Sequence, residues 1–310
     1  MSTPTTPPHL RFWLGHRQIN LPPPLFAQGL MKSFIPATPA LLFSQGLQWY
    51  APVILPFEKP LGMADELALL VYEDAVAYKA AQASWTGQMY SAAHASLFDF
   101  SNQASTSLTH DGWDTPSRQE KLSVLQIGTW PTTSNHWALP TMGPEHVAMA
   151  ALQLGPTPHG IALQNAVQQA LDSALHAASQ SANPQGSLAI PPVRLYMVWQ
   201  NNPASHPQAG PNLYLWCLSA LGHHWARDTL HQVLQQALPA AYAPNPLSTP
   251  IWLWQAPAFE AAQAPQDGHA KDPKLSGPAW GKGWVFARPP AEAPDTNPSS
   301  AASNTSDHTL

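Results

Sequence analysis

The spacing of apolar residues along the first hundred residues predicts alternating strands and helices. Residues 11–19 (RFWLGHRQI) alternate between apolar and polar side chains, as a half-buried strand does. After a run of prolines, which suit the first turn of a helix because they have no N–H to leave unpaired, apolar residues recur at helical spacing. These residues are Leu25, Phe26, Leu30 and Phe34. Two strands, a helix and a closing segment that fits either a strand or a helix follow at residues 47–56, 66–73, 75–83 and 90–100.

The second half of the chain predicts a similar order of elements. A strand at residues 123–130 is followed by a short helix at 144–154 and a long helix at 161–179. Residues 193–199 (VRLYMVW) and 213–218 (LYLWCL) predict a hairpin with a long loop rich in Asn and Pro. A helix at 224–241 and a strand at 251–254 complete the series.

Both halves therefore predict the element order β-α-β-β-α-β, the ferredoxin-like or split-βαβ unit. The fold class expected is α+β, with two tandem units packed sheet to sheet, because each antiparallel sheet has one face that its own helices leave uncovered. The first unit spans residues 10–100, a polar linker 101–122, and the second unit, with its extra short helix, 123–288. Residues 1–9 and 289–310 are rich in Ser, Thr and Pro, which predicts disordered ends.

Side-chain alternation along the second-half strands separates an aliphatic face from an aromatic one. The aromatic face carries Val198 and five rings, which are Tyr196, Tyr214, Trp216, Trp252 and Trp254. One interpretation is that these rings form the core between the two sheets. In another they line a ligand cavity, since binding pockets are largely apolar and aromatic. A protein-binding surface is a third possibility.

Two histidines of the first half are the candidate catalytic residues. His16 follows Phe12 and Leu14 on one face of the first strand, and His94 shares a face with Tyr90 if residues 90–98 form a strand. Because the first and last strands of this unit are neighbours, the two imidazoles could meet and serve in acid–base or ligation chemistry. Burial is then expected to lower the pKa of both. The alternative is two unrelated histidines with local hydrogen bonds.

Composition narrows the function classes. The chain has 13 Lys+Arg against 18 Asp+Glu, a net charge of −5, and only 10% charged residues, which argues against a nucleic-acid surface. No apolar run approaches the roughly 18 residues of a membrane span, and the first residues lack the pattern of a secretory signal, so a cytoplasmic protein is expected. The single cysteine, Cys217, lies in an apolar run and is interpreted as a buried core residue.

No metal-binding or nucleophile motif emerges, and the sequence implies no particular cofactor. The function expected is the enclosure of a hydrophobic small molecule or cofactor in an aromatic-lined cavity between the sheets, with histidine chemistry on it. The alternative is a non-enzymatic protein-binding or assembly module. A third class, the RNA-processing ferredoxin-like proteins, would use similar aromatic faces, but it needs basic residues that these strands lack apart from Arg194.

Overall fold

The structure is a computed structural model, and it describes ten segments of the chain. These are residues 8–100, 104–109, 112–114, 122–127, 147–154, 193–200, 211–219, 252–254, 259–263 and 282–288, with single helical positions at 169, 170, 173 and 234. Two sets of predictions lie outside the described residues. They are the disordered ends, apart from residues 8 and 9, and most of the two helices predicted at 161–179 and 224–241.

The described segments contain twelve strands, and residues 8–100 contain four α-helices. The strands are β1 (His9–Gly15), β2 (Leu47–Ile54), β3 (Glu66–Tyr72), β4 (Ala104–Thr109), β5 (Gly112–Asp114), β6 (Leu122–Ile127), β7 (Val147–Gln153), β8 (Val193–Gln200), β9 (Asn212–Ser219), β10 (Trp252–Trp254), β11 (Phe259–Gln263) and β12 (Lys282–Ala287). The helices are α1 (Pro23–Gly29), α2 (Ile35–Leu42), α3 (Ala75–Ala83) and α4 (Trp85–Ala93). A π-helical turn (Leu30–Phe34) joins α1 to α2, and 3-10 turns follow α2 (Phe43–Gln45) and α4 (His94–Ser96).

The strands form two sheets, so the fold is mixed α+β as expected. The first sheet has the order β11-β12-β2-β3-β1-β4-β5, and all its described pairs are antiparallel except β11 with β12. The second sheet has the order β10-β7-β9-β8-β6 and is antiparallel throughout. Four successive strands of each sheet follow the same pattern, β4-β1-β3-β2 in the first and β10-β7-β9-β8 in the second.

The core of the molecule lies between the two sheets. Phe12 of β1 meets Tyr196 and Trp216 of the second sheet, with ring centroids 5.5 and 5.2 Å apart. Alternation along β1 directs Leu10, Phe12 and Leu14 into this layer, where all three are fully buried. The second sheet therefore covers the apolar face of the first sheet that α1–α4 leave exposed.

The other face of the first sheet packs beneath α1–α4. Phe26, Leu30 and Ile35 lie in this second cluster of buried residues together with Tyr50, Leu70 and Phe286 of the sheet. Asp74 and Ser84 are the N-caps of α3 and α4, and each side chain accepts a hydrogen bond from the backbone N–H three residues after it. In the described part of the chain, the first sheet thus lies between the helices α1–α4 and the second sheet.

A buried polar network ties the loop between β2 and β3 to the second sheet. The Tyr214 hydroxyl accepts from the Ala64 N–H at 2.9 Å and donates to Gln200 Oε1 at 2.9 Å. Asn212 Nδ2 donates to the Gly62 carbonyl at 2.9 Å, and Gly62 has a φ of 84°, the left-handed conformation that favours glycine. These bonds satisfy polar groups that burial would otherwise leave unpaired, and they fix how the loop sits on the second sheet.

The short helix predicted at residues 144–154 is wrong, because residues 147–153 form β7. β7 lies inside the second sheet between β10 and β9, and all seven of its residues are buried. A strand buried on both faces has no apolar–polar alternation to mark it. Its alanines and methionine favour a helix, but pairing on both sides overrides that preference.

Of residues 90–98, which the sequence leaves open between strand and helix, 90–96 are helical. Tyr90 belongs to α4 and His94 to the 3-10 turn after it, while Phe98 forms an isolated bridge with Arg17.

Two strand pairings cross the boundaries predicted for the two units. β1 pairs with β3 on one side and on the other with β4, which lies in the segment predicted as a linker. β12, from the segment assigned to the second unit, pairs with β2 of the first sheet. The division of the chain into two tandem units stays a prediction.

Replacing Tyr214 by phenylalanine should destabilise the fold by about 1–3 kcal/mol, because the Ala64 N–H then stays buried without a partner. Chemical denaturation of the Tyr214→Phe variant measures this loss. An unchanged free energy of unfolding would mean that this bond does not hold the loop to the second sheet.

Candidate functional site

A cavity of about 560 Å³ lies between the first sheet and its helices, on the face opposite the inter-sheet core. Its floor consists of side chains that alternate along β1, β2 and β3, and its roof comes from α3, α4 and the π-helical turn. Gln82, Gln88 and Ser91 line it and are exposed, so its mouth opens between α3 and α4. Seven Phe, Tyr and Trp side chains contribute to its walls, namely Trp13, Phe34, Tyr50, Tyr72, Tyr78, Tyr90 and Phe100.

The carboxyl group of Glu66 is buried in the wall of this cavity. Its side chain is 4% exposed, and Trp13 Nε1 donates to Glu66 Oε2 at 2.9 Å. Burial raises the pKa of Glu66 to about 8, and the hydrogen bond from Trp13 opposes that rise only in part. Glu66 therefore carries a proton at neutral pH and can both give it up and take it back near that pH.

Tyrosine hydroxyls provide most of the other polar groups of the site. The Tyr90 hydroxyl lies 2.6 Å from the Thr38 hydroxyl, which itself donates to the Phe34 carbonyl at 2.8 Å. Burial raises the pKa of Tyr50, Tyr72 and Tyr90 above the ordinary value. These hydroxyls stay protonated at neutral pH and act as neutral hydrogen-bond donors or acceptors.

His94 lies in the cavity wall as a neutral imidazole. Its Nδ1 is 2.8 Å from the Tyr90 carbonyl, and because a carbonyl only accepts, Nδ1 carries the hydrogen and Nε2 is the acceptor. Its ring packs edge-on against Trp13 and Phe34, with centroids 5.0 and 4.6 Å away. Burial lowers the pKa of His94 to about 4.

Another part of the wall carries a guanidinium group. Arg11 lies two residues before Trp13 on the same face of β1 and donates from Nη1 to the Tyr78 hydroxyl. Its Cζ lies 5.2 Å from the centroid of the Tyr78 ring, a cation–π contact. Gln82 Nε2 of α3 donates to the same hydroxyl at 2.6 Å. The cavity thus has a cation in one part of its wall and a neutral carboxyl group in another.

The predicted pairing of His16 with His94 is wrong. His16 continues the inter-sheet face of β1, where its Nε2 lies 3.2 Å from Gln200 Nε2 of the second sheet. His94 lies on the helix face, against Trp13. The two imidazoles face opposite sides of the first sheet because residues 90–96 are helical. Burial also lowers the pKa of His16 to about 4, against the opposing effect of Asp65.

The aromatic residues predicted as ligand walls lie between the sheets, as far as they are described. Tyr196, Tyr214 and Trp216 are fully buried in the inter-sheet cluster, the position expected if they are core. Trp252 and Trp254 belong to β10, and their side chains lie outside the described residues. Their role in ligand binding stays a prediction.

An apolar groove of about 440 Å³ lies on the outer side of the helices, next to the cavity. Leu41 of α2 and Trp85 and Met89 of α4 line it, and Trp85 is 75% exposed. Phe34 and Tyr90 contribute to both the groove and the cavity, so these two rings stand between them.

Cys217 is buried in β9, and burial raises its pKa to about 12, so the interpretation as a core residue holds. Among the described residues, no cluster of three or more His, Cys, Asp or Glu side chains could hold a metal ion. Within the same part of the chain, no helix has the length and apolar character needed to cross a membrane.

Sequence reasoning missed Glu66 and Arg11, which the structure places in the cavity. A signal for Glu66 was present, since a carboxylate begins an otherwise apolar strand (ELALLVY) and shares a face with Ala68 and Leu70. For Arg11 the signal was its place two residues from Trp13 on the first strand. Neither signal predicts that the helices leave a cavity over this face of the first sheet.

The buried carboxyl group should make stability depend on pH. Folding raises the pKa of Glu66 from 4.5 to about 8, so its contribution to stability is present below 4.5 and is lost as the pH rises through 8. Folding lowers the pKa of His16 and His94 from 6.5 to about 4. These two groups therefore make the free energy of unfolding rise with pH, but only below pH 6.5. Between pH 6.5 and 8 the free energy of unfolding should fall by up to about 1.4 kcal/mol per pH unit in the native chain.

Denaturant unfolding across that pH range, compared with Glu66→Gln, measures this contribution. The glutamine keeps an acceptor for Trp13 Nε1 and has no proton to lose, so its curve should be the flatter of the two. Parallel curves would contradict a protonated Glu66.

No protein-family model matches the chain, and no curated protein matches its sequence. Among solved structures, a candidate monooxygenase from Lactobacillus acidophilus is similar over 80% of this chain and 91% of its own, at 7% identity and a TM-score of 0.35. A candidate monooxygenase from Fusobacterium nucleatum is similar over 81% and 91%, at 6% identity and a TM-score of 0.37. An anthrone oxidase-like protein is similar over 80% and 89%, at 8% identity and a TM-score of 0.35. At these scores the similarities carry no statement about what this chain binds.

Proposed function

We propose that the protein encloses an aromatic small molecule in the cavity beneath α3 and α4 and exchanges a proton with it through Glu66. The observation that carries the proposal is the buried Glu66 carboxyl group, held by Trp13 in the wall of a cavity of about 560 Å³. That volume lies within the roughly 300–1,000 Å³ of ligand pockets. We also interpret the two matching strand orders as two ferredoxin-like units, of which the first carries the site.

The lining suits a planar, mostly apolar ligand with a few polar atoms. Seven Phe, Tyr and Trp side chains offer faces and edges for a ring to stack on, while Glu66, His94 and the tyrosine hydroxyls supply hydrogen bonds. His94 presents an Nε2 that accepts, and it orients a ligand hydroxyl or N–H in this proposal. His16, on the opposite face of β1, has no part in it.

A carboxyl group with a pKa near 8 is suited to general acid–base chemistry. A catalytic group works best when its pKa is close to the working pH. A buried carboxyl group has a pKa near that value because burial removes the water that would stabilise its charged form. Glu66 in its carboxylate form removes a proton from an acidic C–H or O–H of the ligand, and in its acid form returns one. No cofactor is required for this proton exchange.

Proton exchange can be followed on β-tetralone, an aromatic ketone whose benzylic C–H next to the carbonyl is acidic. In D₂O, Glu66 takes the proton and returns a deuteron, so the C–H signal in the NMR spectrum disappears. The native chain should accelerate this exchange by about a hundredfold over buffer, and the rate should rise with pH through about 8 as the carboxylate forms. Glu66→Gln should exchange at the buffer rate.

Glu73→Gln is the matched control, because Glu73 lies just beyond β3 with its carboxylate exposed and paired with Arg288. It should exchange as the native chain does. Equal rates for Glu66→Gln and the native chain would overturn the proton-transfer role.

The second candidate function, a protein-binding or assembly module, is favoured by the exposed apolar side chains of the groove. The two functions differ in which substitution abolishes tetralone exchange. Ala68→Phe places a ring in the cavity floor and should abolish exchange, whereas Trp85→Ser, which removes the most exposed ring of the groove, should leave it intact. Circular dichroism of both variants checks that they fold. Exchange that survives Ala68→Phe would remove the cavity from the proposal and leave the binding module as the better account.

A further inference from the structure

The side of the cavity formed by α4 and the turn after it presents two hydrogen-bonding rings next to each other. Tyr90 and His94 are four residues apart, which places them on the same face of the helix, and their ring centroids are 4.6 Å apart. Both rings line the cavity. What each ring can offer a ligand depends on where its own hydrogen is already donated.

The hydrogen of His94 is donated within the turn that carries it. Nδ1 donates to the Tyr90 carbonyl, so Nε2 keeps a lone pair and is an acceptor. Burial lowers the pKa of His94 to about 4, so the ring stays neutral and Nε2 takes up no proton at neutral pH. His94 therefore offers the cavity an acceptor.

The hydrogen of the Tyr90 hydroxyl is donated to Thr38 of α2. Thr38 is fully buried, and its hydroxyl has a single hydrogen, which it donates to the Phe34 carbonyl at 2.8 Å. The Tyr90 hydroxyl lies 2.6 Å from Thr38 Oγ1. Because the Thr38 hydrogen is already donated to a carbonyl, Tyr90 must be the donor of this second bond. The Tyr90 oxygen then has only lone pairs left for a ligand.

Thr38 also contacts a second tyrosine of the cavity wall. Burial raises the pKa of Tyr50 on β2, and a hydrogen bond with Thr38 opposes part of that rise. A hydroxyl oxygen has two lone pairs, so Thr38 Oγ1 can accept from both Tyr50 and Tyr90. Thr38 is not one of the described residues that line the cavity. A buried side chain behind the wall thus determines whether the wall donates or accepts hydrogen bonds.

We propose that the cavity selects an aromatic ligand with a hydrogen-bond donor on its ring, such as a phenolic hydroxyl. The donor binds to the Tyr90 oxygen or to His94 Nε2, and Thr38 is the positioning residue that makes Tyr90 an acceptor. This inference rests on the proposed function and names the ligand class of the same site. A ligand that has only an acceptor at this place binds more weakly, because no hydrogen lies between its oxygen and the Tyr90 oxygen.

Two probes, β-naphthol and its methyl ether β-methoxynaphthalene, test this selection. Both oxygens can accept a hydrogen bond, but only the naphthol has a hydrogen to donate. Equilibrium dialysis with the full chain at pH 7, where naphthol is neutral, should give an affinity about three- to tenfold higher for naphthol. That ratio corresponds to one neutral hydrogen bond.

The Thr38→Val variant keeps the shape of threonine but removes the oxygen to which Tyr90 donates. The freed Tyr90 hydrogen can then be donated to a ligand, so the affinity for the ether should rise about three- to tenfold and the preference for naphthol should disappear. Loss of packing alone would weaken both probes together. Thr38→Ser restores the oxygen and should behave as the native chain does. Thr86→Val makes the same change on the groove side of α4 and should leave the ratio unchanged.

Equal binding of the two probes by the native chain would overturn the selection of donors, as would failure to bind either probe. An unchanged ratio in Thr38→Val with a native circular dichroism spectrum would also overturn it. If Thr38→Val does not fold, Tyr90→Phe takes its place, since it removes the acceptor and should lower the ratio through weaker binding of naphthol alone. An unchanged ratio there would count against the proposal equally. Tetralone exchange measures the proposed function separately, so these results would leave that function standing.

Discussion

The architecture depends on the need to cover both faces of the first sheet. One face is covered by a second sheet and the other by helices. Each strand of the first sheet must therefore supply side chains to two different layers. β1 does this with alternate side chains, since Phe12 and Leu14 enter the inter-sheet core while Arg11 and Trp13 face the helices. The inter-sheet layer is filled by large rings in contact, whereas the helix layer leaves a cavity. The difference between the two layers is what gives the molecule its cavity.

Alternation alone was enough to predict which strand residues share a face. It separated Tyr196, Tyr214 and Trp216 from their aliphatic neighbours, and the structure places all three in one layer. It failed at β7, where both faces are buried and no polar position marks the pattern. It also could not decide residues 90–98, whose small residues are compatible with a helix or a strand until the strand partner of β1 is known.

The site was harder to predict than the fold, because it is assembled from residues far apart in sequence. Trp13 and Glu66 come into contact only because β3 pairs with β1, which is a property of strand order. His94 could be singled out from sequence, but its side of the sheet follows from the helical turn that carries it. A cavity, moreover, is a volume that side chains leave unfilled. The periodicity of apolar residues predicts which residues are buried but not where such a volume remains.

The pairing of β12 with β2 has a consequence for how the chain acquires its structure. β12 lies more than two hundred residues after β2, yet its Trp284 and Phe286 belong to the cluster beneath the helices, and Phe286 stacks on Tyr50 with centroids 5.7 Å apart. During synthesis from the N-terminus, the edge of β2 that pairs with β12 has no partner strand until residues 282–287 have been synthesised. Contacts of such long sequence separation slow folding, so the layer that holds the cavity is completed late and its edge is exposed to wrong partners in the meantime.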